Sequence, residues 1–141
     1  MSGKKPKHPR DPSQLAKLMA ASLAIFLSTP VSAAEWVFIT SGQNMPVYLD
    51  TSSISARGSD LVVWLKYDYS QMPSKDAEYS IDKVELRCTH RQMRTLSVIK
   101  YNANGSVIRT TEFPDDPFYD IPPETVALGL YQRICERQFS N

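Results

Sequence analysis

The chain has 141 residues, enough for one domain, and its 42% hydrophobic and 22% charged residues are ordinary for a globular protein. Residues 1–33 hold five of the sixteen basic residues and one of the fifteen acidic residues, so residues 34–141 carry 11 basic and 14 acidic side chains and a net charge of −3. This slightly acidic balance argues against nonspecific binding to nucleic acid.

Residues 1–33 have the pattern of a secretory signal peptide. The basic stretch KKPKHPR precedes an apolar run of 14 residues, Leu18 to Val31, whereas a bilayer crossing needs about 20. The small residues of Val31-Ser32-Ala33 predict cleavage after Ala33, or one residue later, after Ala34. The alternative is an uncleaved N-terminal anchor. We therefore expect residues 34–141 to form an exported domain.

In the first half of this domain, aromatic and β-branched content predicts a strand over Glu35–Thr40, followed by a short extended piece over Pro46–Asp50 and a longer strand over Leu61–Tyr69. In the longer strand the odd positions from Leu61 to Tyr69 are all apolar or aromatic. The even positions, from Val62 to Asp68, are half polar. The strand is thus expected to turn its odd face to the core.

The segment Tyr79–Arg91 alternates in the same way. Val84, Leu86 and Cys88 are predicted to face the core, and the opposite face is predicted to carry Lys83, Glu85, Arg87, Thr89 and Arg91. Two further strands, Gln92–Tyr101 and Ser106–Phe113, flank an Asn-Gly hairpin signal.

One helix is predicted, over Pro123–Gln138. Pro123 fits the first helical position and Glu124 the first turn. Ala127, Leu130, Tyr131 and Ile134 form an apolar stripe, with Leu128 and Cys135 at its edge. This stripe must pack on the sheet to be buried.

Cys88 and Cys135 are the only cysteines. In an exported chain they most simply form one disulfide, which would join the helix to a strand. A pair of free thiols is the alternative, and their spacing excludes a CxxC redox motif.

No catalytic or metal motif is found in residues 34–141. Their single histidine, His90, lies among basic residues, which disfavours a role as a poised base. One histidine with two oxidised cysteines cannot form a zinc site, and Asp115-Asp116 lacks the ligand spacing of a calcium loop. We expect no enzymatic activity, no metal and no cofactor.

The remaining functional candidate is a set of basic residues around the Cys88 strand: Lys83, Arg87, His90, Arg91 and Arg94. This set could dock an acidic protein or glycan. The plainer interpretation is a solvated sheet face or an edge blunted by charge. Trp36, Tyr48, Trp64, Tyr67 and Tyr69 are expected in the core rather than in a binding platform.

The order of these segments resembles the surface-adhesin protein E-like domain of Gram-negative envelope proteins. The matching segments are EWVFI, VYLDTSSI, GSDLVVWLKYDY, VELRC with its basic successors, YNANGSV and IPPETVALGLYQRIC. They cover nearly all of residues 34–141.

The predicted fold class is α+β, with about five or six strands and a C-terminal helix on one face. The resemblance implies that the sheet is antiparallel and curved around the helix, and that Cys88 and Cys135 are joined. The family's best-known member is an outer-membrane adhesin that binds host matrix and serum proteins. The resemblance therefore implies a binding role for Lys83–Arg94 and a homodimer.

One departure concerns the membrane anchor. Adhesin-type members often carry a lipid-bearing cysteine directly after the leader, where this sequence has Ala33 and Ala34. We therefore expect no lipid anchor, and a protein that is periplasmic or released. Two functions follow as hypotheses: binding of an acidic or host partner, or a soluble structural or assembly module for another envelope protein.

Overall fold

The computed structural model of the protein describes Gly3 and residues 33–136. Apart from Gly3 and Ala33, the predicted leader lies outside the described residues, so the signal peptide stays a prediction. Within the described residues, eight strands form one antiparallel sheet. They are β1 (Trp36–Gly42), β2 (Met45–Asp50), β3 (Ser55–Arg57), β4 (Asp60–Asp68), β5 (Tyr79–Arg87), β6 (Gln92–Tyr101), β7 (Val107–Glu112) and β8 (Tyr119–Asp120).

The predicted α+β fold is confirmed, but the predicted five or six strands are too few. The two strands that the sequence missed, β3 and β8, have three and two residues, too short for an alternating pattern. The main order is β1-β2-β4-β5-β6-β7, with β3 paired to β4 and β8 paired to β6. Gly58 and Gly105 occupy turns with φ of 63° and 82°, a region in which residues with a Cβ are strained.

The core lies on one face of the sheet, here called the inner face. Val63 and Leu65 of β4 and Val84 and Leu86 of β5 are at most 2% exposed. In the pairing of β4 with β5, Val63 lies opposite Val84, and Leu61 lies opposite Leu86. The predicted inward face of both strands is therefore confirmed.

The helix is shorter than predicted and begins later. An α-helix, α1, covers Val126–Tyr131 and continues as a π-helical turn over Gln132–Glu136. Thr125 is the N-cap, its hydroxyl accepting a hydrogen bond from the backbone N–H of Leu128 at 3.2 Å. Pro123 and Glu124 precede the helix, and Glu124 has a φ of 59°, which is incompatible with a first helical turn. The predicted residues Arg137 and Gln138 lie outside the described part.

The predicted disulfide is confirmed. Cys88 and Cys135 are joined, with Cα atoms 5.5 Å apart. Cys135, expected at the edge of the apolar stripe, is fully buried together with Leu130 and Ile134. The Tyr131 hydroxyl also donates to the Cys88 carbonyl at 2.8 Å. The helix is thus attached to the inner face at the end of β5.

Candidate functional site

The face of the sheet turned away from the helix, here called the outer face, carries most of the candidate binding residues. Because side chains alternate along a strand, Trp64 and Lys66 lie opposite the buried Val63 and Leu65. Directly paired residues share a face, so Lys83 and Glu85 of β5 lie on the same side as Trp64 and Val62 of β4.

One end of the outer face is an ion-pair cluster centred on Glu85. The sequence pattern predicts a solvated Glu85, and this is wrong, because Glu85 is only 2% exposed. Its Oε2 atom lies 2.6 Å from Nη2 of Arg94 and 3.3 Å from Nη1 of Arg57. A carboxylate buried on a sheet face needs such partners, since desolvation of a single charge is costly.

Arg87 belongs to the same cluster. Its Nε lies 3.4 Å from Oδ2 of Asp60, and its guanidinium carbon lies 3.7 Å from the ring centre of Phe118. The guanidinium carbon of Arg94 lies 4.6 Å from the centre of the same Phe118 ring. Two of the five predicted binding residues are therefore already engaged by carboxylates and an aromatic ring.

His90 and Arg91 lie in the turn that joins β5 to β6, because β5 ends at Arg87. The prediction that Thr89 and Arg91 continue the outward row of the strand is therefore wrong. Arg91 has a φ of 53°, and its carbonyl accepts a hydrogen bond from the N–H of Ile121 at 3.1 Å. The Nδ1 atom of His90 is 2.8 Å from the Thr89 hydroxyl. Both His90 and Arg91 have exposed side chains.

The other end of the outer face is an aromatic patch, made of Phe38, Tyr48, Trp64, Tyr79 and Tyr101 with the two lysines Lys66 and Lys83. Phe38 and Tyr48 pack edge to face at 5.9 Å between ring centres, and Tyr79 and Tyr101 stack at 4.7 Å. Lys66 lies 4.7 Å from the centre of the Tyr79 ring, and Lys83 lies 5.5 Å from the centre of the Trp64 ring. These contacts hold both ammonium groups against aromatic faces.

The two lysines of the aromatic patch differ electrostatically from the arginines of the cluster. Within residues 33–136, the ion pairs shorter than 4 Å involve neither Lys66 nor Lys83. Phe38 is 53% exposed, and the other four aromatic residues are partly exposed. The patch combines accessible aromatic surface with two ammonium groups that form no direct ion pair within the described residues.

The expectation that the aromatic residues lie in the core is correct for Tyr67 and wrong for Tyr48 and Trp64. Tyr67 packs against the core, as expected. Tyr48 and Trp64 lie on the outer face instead. The signal was present in the alternation of Leu61–Tyr69, which sets Trp64 and Lys66 opposite the apolar positions. The sequence alone does not show which strands lie beside β4, and so it does not reveal the patch.

The inner face also contains polar side chains, Tyr69 of the segment after β4 and Ser80 and Asp82 of β5. The hydroxyls of Tyr69 and Ser80 lie 3.0 Å apart, and Ser80 is fully buried. Asp82 follows two residues later, and its Oδ1 atom is buried without a hydrogen-bond partner. Burial raises the pKa of Asp82 to about 6, against the opposing effects of the Ser80 hydroxyl and of Lys100. Burial, with a smaller contribution from Asp82, also raises the pKa of the Tyr67 phenol.

Metal and membrane features can be assessed for the described residues only. In residues 33–136, no three His, Cys, Asp or Glu side chains are grouped so that they could hold a metal ion. None of the helical segments in this range has the length and hydropathy that a membrane crossing requires.

The fold and this surface define a class of protein: a disulfide-linked sheet-and-helix domain that presents an aromatic and basic sheet face. The family comparison makes this specific. The sequence profile of surface-adhesin protein E matches residues 36–136, and the chain belongs to that family. The resemblance drawn from the sequence is therefore confirmed.

The solved structures include the crystal structure of Protein E from non-typeable Haemophilus influenzae. It is 15% identical to this chain, with a TM-score of 0.53 over 78% of this chain and 82% of that one. At this identity the likeness supports the fold alone. A search of curated protein sequences found no match.

Proposed function

We propose that this protein is an exported, noncatalytic binding protein that holds an acidic protein or glycan against its outer face. The aromatic patch provides the contact area, and Lys66 and Lys83 provide the positive charge. His90 and Arg91 add positive charge at the β5–β6 turn, beyond the ion-pair cluster. Arg87 and Arg94 act indirectly, by maintaining the shape of the face beside the patch.

The observation that carries this proposal is a difference in ion pairing: Arg87 and Arg94 are paired with carboxylates, whereas Lys66 and Lys83 form no ion pair within the described residues. A cation already paired with a buried carboxylate must break that pair before it can bind another anion, and the lost pair offsets the gain. Lys66 and Lys83 have no such pair within the described residues. Aromatic side chains are also the residues that most often dominate the binding energy of protein interfaces.

Export and an adhesin-type role are supported by independent features. The disulfide between Cys88 and Cys135 is typical of proteins that fold in oxidising compartments. The leader-like residues 1–33 have the composition of a secretory signal. Membership of the surface-adhesin protein E family favours a binding role over catalysis.

The test uses the full chain, exported and purified, and two probes: immobilised heparin as a sulfated glycan and an extract of host matrix proteins. The Lys66→Glu/Lys83→Glu double variant should weaken binding by about tenfold or more, because it places negative charge on the contact surface. Binding by the unmodified chain should weaken with added salt, and the variant should lose most of that dependence.

The matched control is Arg109→Glu/Arg133→Glu, which makes the same change in net charge away from the patch. This control should bind nearly as well as the unmodified chain. Equal losses in both double variants would indicate a general effect of net charge, and unaltered binding by the patch variant would refute the proposed site. Circular dichroism of each variant checks that the fold is intact.

A second candidate is a soluble periplasmic structural or assembly module, and the free edge of β7 favours it. Val107 and Ile108 of this strand are 56% and 49% exposed, and β7 pairs only with β6 among the described strands. Such an edge can accept a further strand from a partner. In this case Ile108→Lys would abolish crosslinking to an envelope protein, the probes above would not bind, and fractionation would find the protein only in the periplasm. A crosslinked product of twice the chain mass would instead indicate the homodimer that the family resemblance implies.

A further inference from the structure

Glu35, the residue before β1, is held by contacts with Asp50 and Thr51. The backbone N–H of Glu35 donates to Oδ1 of Asp50 at 3.0 Å, and the Glu35 carbonyl accepts from the N–H of Thr51 at 3.0 Å. The Thr51 hydroxyl also contacts the Glu35 carboxylate at 3.1 Å. Three contacts thus hold Glu35 one residue before β1 begins.

The two residues before Glu35 differ from it. Ala33 and Ala34 are exposed and lie outside the strands. No hydrogen bond within residues 33–136 involves either of them. The match to the family profile begins at Trp36. Among the described residues from Ala33 onward, hydrogen bonds to the rest of the domain therefore begin at Glu35.

Asp50 caps the short 3-10 turn Thr51–Ser53 and also contacts the start of the domain. It is 8% exposed, and its Oδ1 atom accepts from the N–H and the hydroxyl of Ser52 at 3.1 and 2.6 Å, besides the N–H of Glu35. Among the described residues no Lys, Arg or His lies within ion-pair distance of it. Hydrogen bonds alone therefore compensate the burial of this carboxylate among the described residues, and a positive charge at the nitrogen of Glu35 would turn the neutral N–H contact at 3.0 Å into a stronger, charge-assisted one.

We propose that the processing site is the Ala34–Glu35 bond, and that the new α-ammonium group of Glu35 forms an ion pair with Asp50. In this step a signal peptidase adds water across the peptide bond. The carbonyl carbon of Ala34 gains the hydroxyl and leaves with the leader as a carboxylate, and the nitrogen of Glu35 is protonated to an ammonium. Ala34 and Ser32 then occupy the two positions where signal peptidase requires small residues.

This inference selects between the two cleavage positions that the sequence leaves open. Cleavage after Ala33 would leave the ammonium on Ala34, one residue away from Asp50, with only a neutral amide at the carboxylate. Cleavage after Ala34 places the charge at the atom that already lies 3.0 Å from Oδ1. The inference rests on the export assumed in the proposed function.

The first measurement is the intact mass and N-terminal sequence of the protein exported from the full chain. We expect a chain that begins at Glu35. A chain that begins at Ala34, or at any other residue, overturns the inference. An uncleaved chain overturns both the inference and the predicted leader, but it leaves the binding assay on the outer face as a separate result.

The second measurement tests the ion pair. The rate at which the α-amine reacts with an amine-labelling reagent is followed against pH, with the site of labelling located by mass spectrometry. Pairing should raise the pKa of the α-amine above its ordinary range of about 7.7–8.0, and Asp50→Asn, which keeps an oxygen acceptor for Ser52, should return it to that range. An identical profile in the unmodified protein and in Asp50→Asn overturns the ion pair.

A further variant covers the case in which Asp50→Asn does not fold. Ala34→Leu blocks the proposed site but keeps Ala33 available for cleavage, so that the exported chain should begin at the substituted residue. The α-amine of this chain should then react with the pKa of an unpaired N-terminus. A raised pKa in this variant would contradict the proposed geometry.

Discussion

The buried carboxyl group of Asp82 makes stability depend on pH in a direction opposite to that of most carboxylates. Burial raises its pKa from the ordinary 3.8 to about 6 in the folded protein. The folded chain therefore holds the proton over a range in which the unfolded chain has lost it. The contribution of this group to stability is most favourable below about pH 4, falls as the pH rises from about 4 to 6, and carries the full penalty above that range.

The size of this penalty follows from the two values. At about 1.4 kcal/mol per pH unit, a rise from 3.8 to about 6 corresponds to roughly 3 kcal/mol. Asp82 keeps some contact with solvent, which screens part of the effect. We therefore expect Asp82→Asn to raise the free energy of unfolding by roughly 1–2 kcal/mol at pH 8 and to leave it nearly unchanged at pH 4.

The assay is urea denaturation followed by tryptophan fluorescence and circular dichroism at several pH values between 4 and 8. Asp115→Asn, at an exposed carboxylate, is the matched control for loss of one negative charge. The control should follow the profile of the unmodified protein. If Asp82→Asn also runs parallel to the unmodified protein across this range, the carboxyl is not the source of the pH dependence and the reasoning fails.

Three further predictions concern the contacts that hold the two faces. Replacing Cys88 and Cys135 together by alanine should lower the free energy of unfolding by up to about 4 kcal/mol, because the bond closes a loop with a sequence separation of 47 residues. The measurement is urea denaturation, and a loss below about 1 kcal/mol would contradict this prediction. Glu85→Gln should cost about 2 kcal/mol in the same assay, since two arginines lose their shared carboxylate, and a neutral result would show the cluster to be unimportant for stability. Gly42→Ala should cost about 1–3 kcal/mol, because its Cβ would lie 2.6 Å from Cγ2 of Val126. A second change, Val126→Ala, should restore part of that loss, and absence of any rescue would rule out this clash as the cause.

The fold was predictable where local pattern and tertiary packing agree. The alternation of Val84, Leu86 and Cys88 predicts their burial without knowledge of their partners, and the long strands β4 and β6 follow from composition. The start of the helix was not predictable in this way. The pattern Pro-Pro-Glu reads as a first turn, but the left-handed backbone of Glu124 delays the helix until the Thr125 cap.

The candidate site was less predictable, because it depends on which charges meet across strands. The sequence pattern treats Glu85, Arg87 and Arg94 as solvated residues of one face. In the fold, Arg57 and Arg94 reach Glu85 from strands 28 and 9 residues away, and Asp60 reaches Arg87 from a distance of 27 residues. The positions of basic residues along one strand do not show which carboxylates of other strands they will contact.

The burial of the core on one face has a direct consequence for binding. The disulfide and Tyr131 hold the helix against the inner face at the end of β5, so the apolar side chains of β4 and β5 are buried there. Side chains of the outer face have no helix above them among the described residues, and they interact with side chains of neighbouring strands. The arginines of the cluster pair with Glu85 and Asp60, whereas Lys66 and Lys83 lie over aromatic rings and form no direct ion pair within the described residues. An anionic partner gains most from cations that give up no carboxylate when it binds, and on this face those cations are the lysines of the aromatic patch.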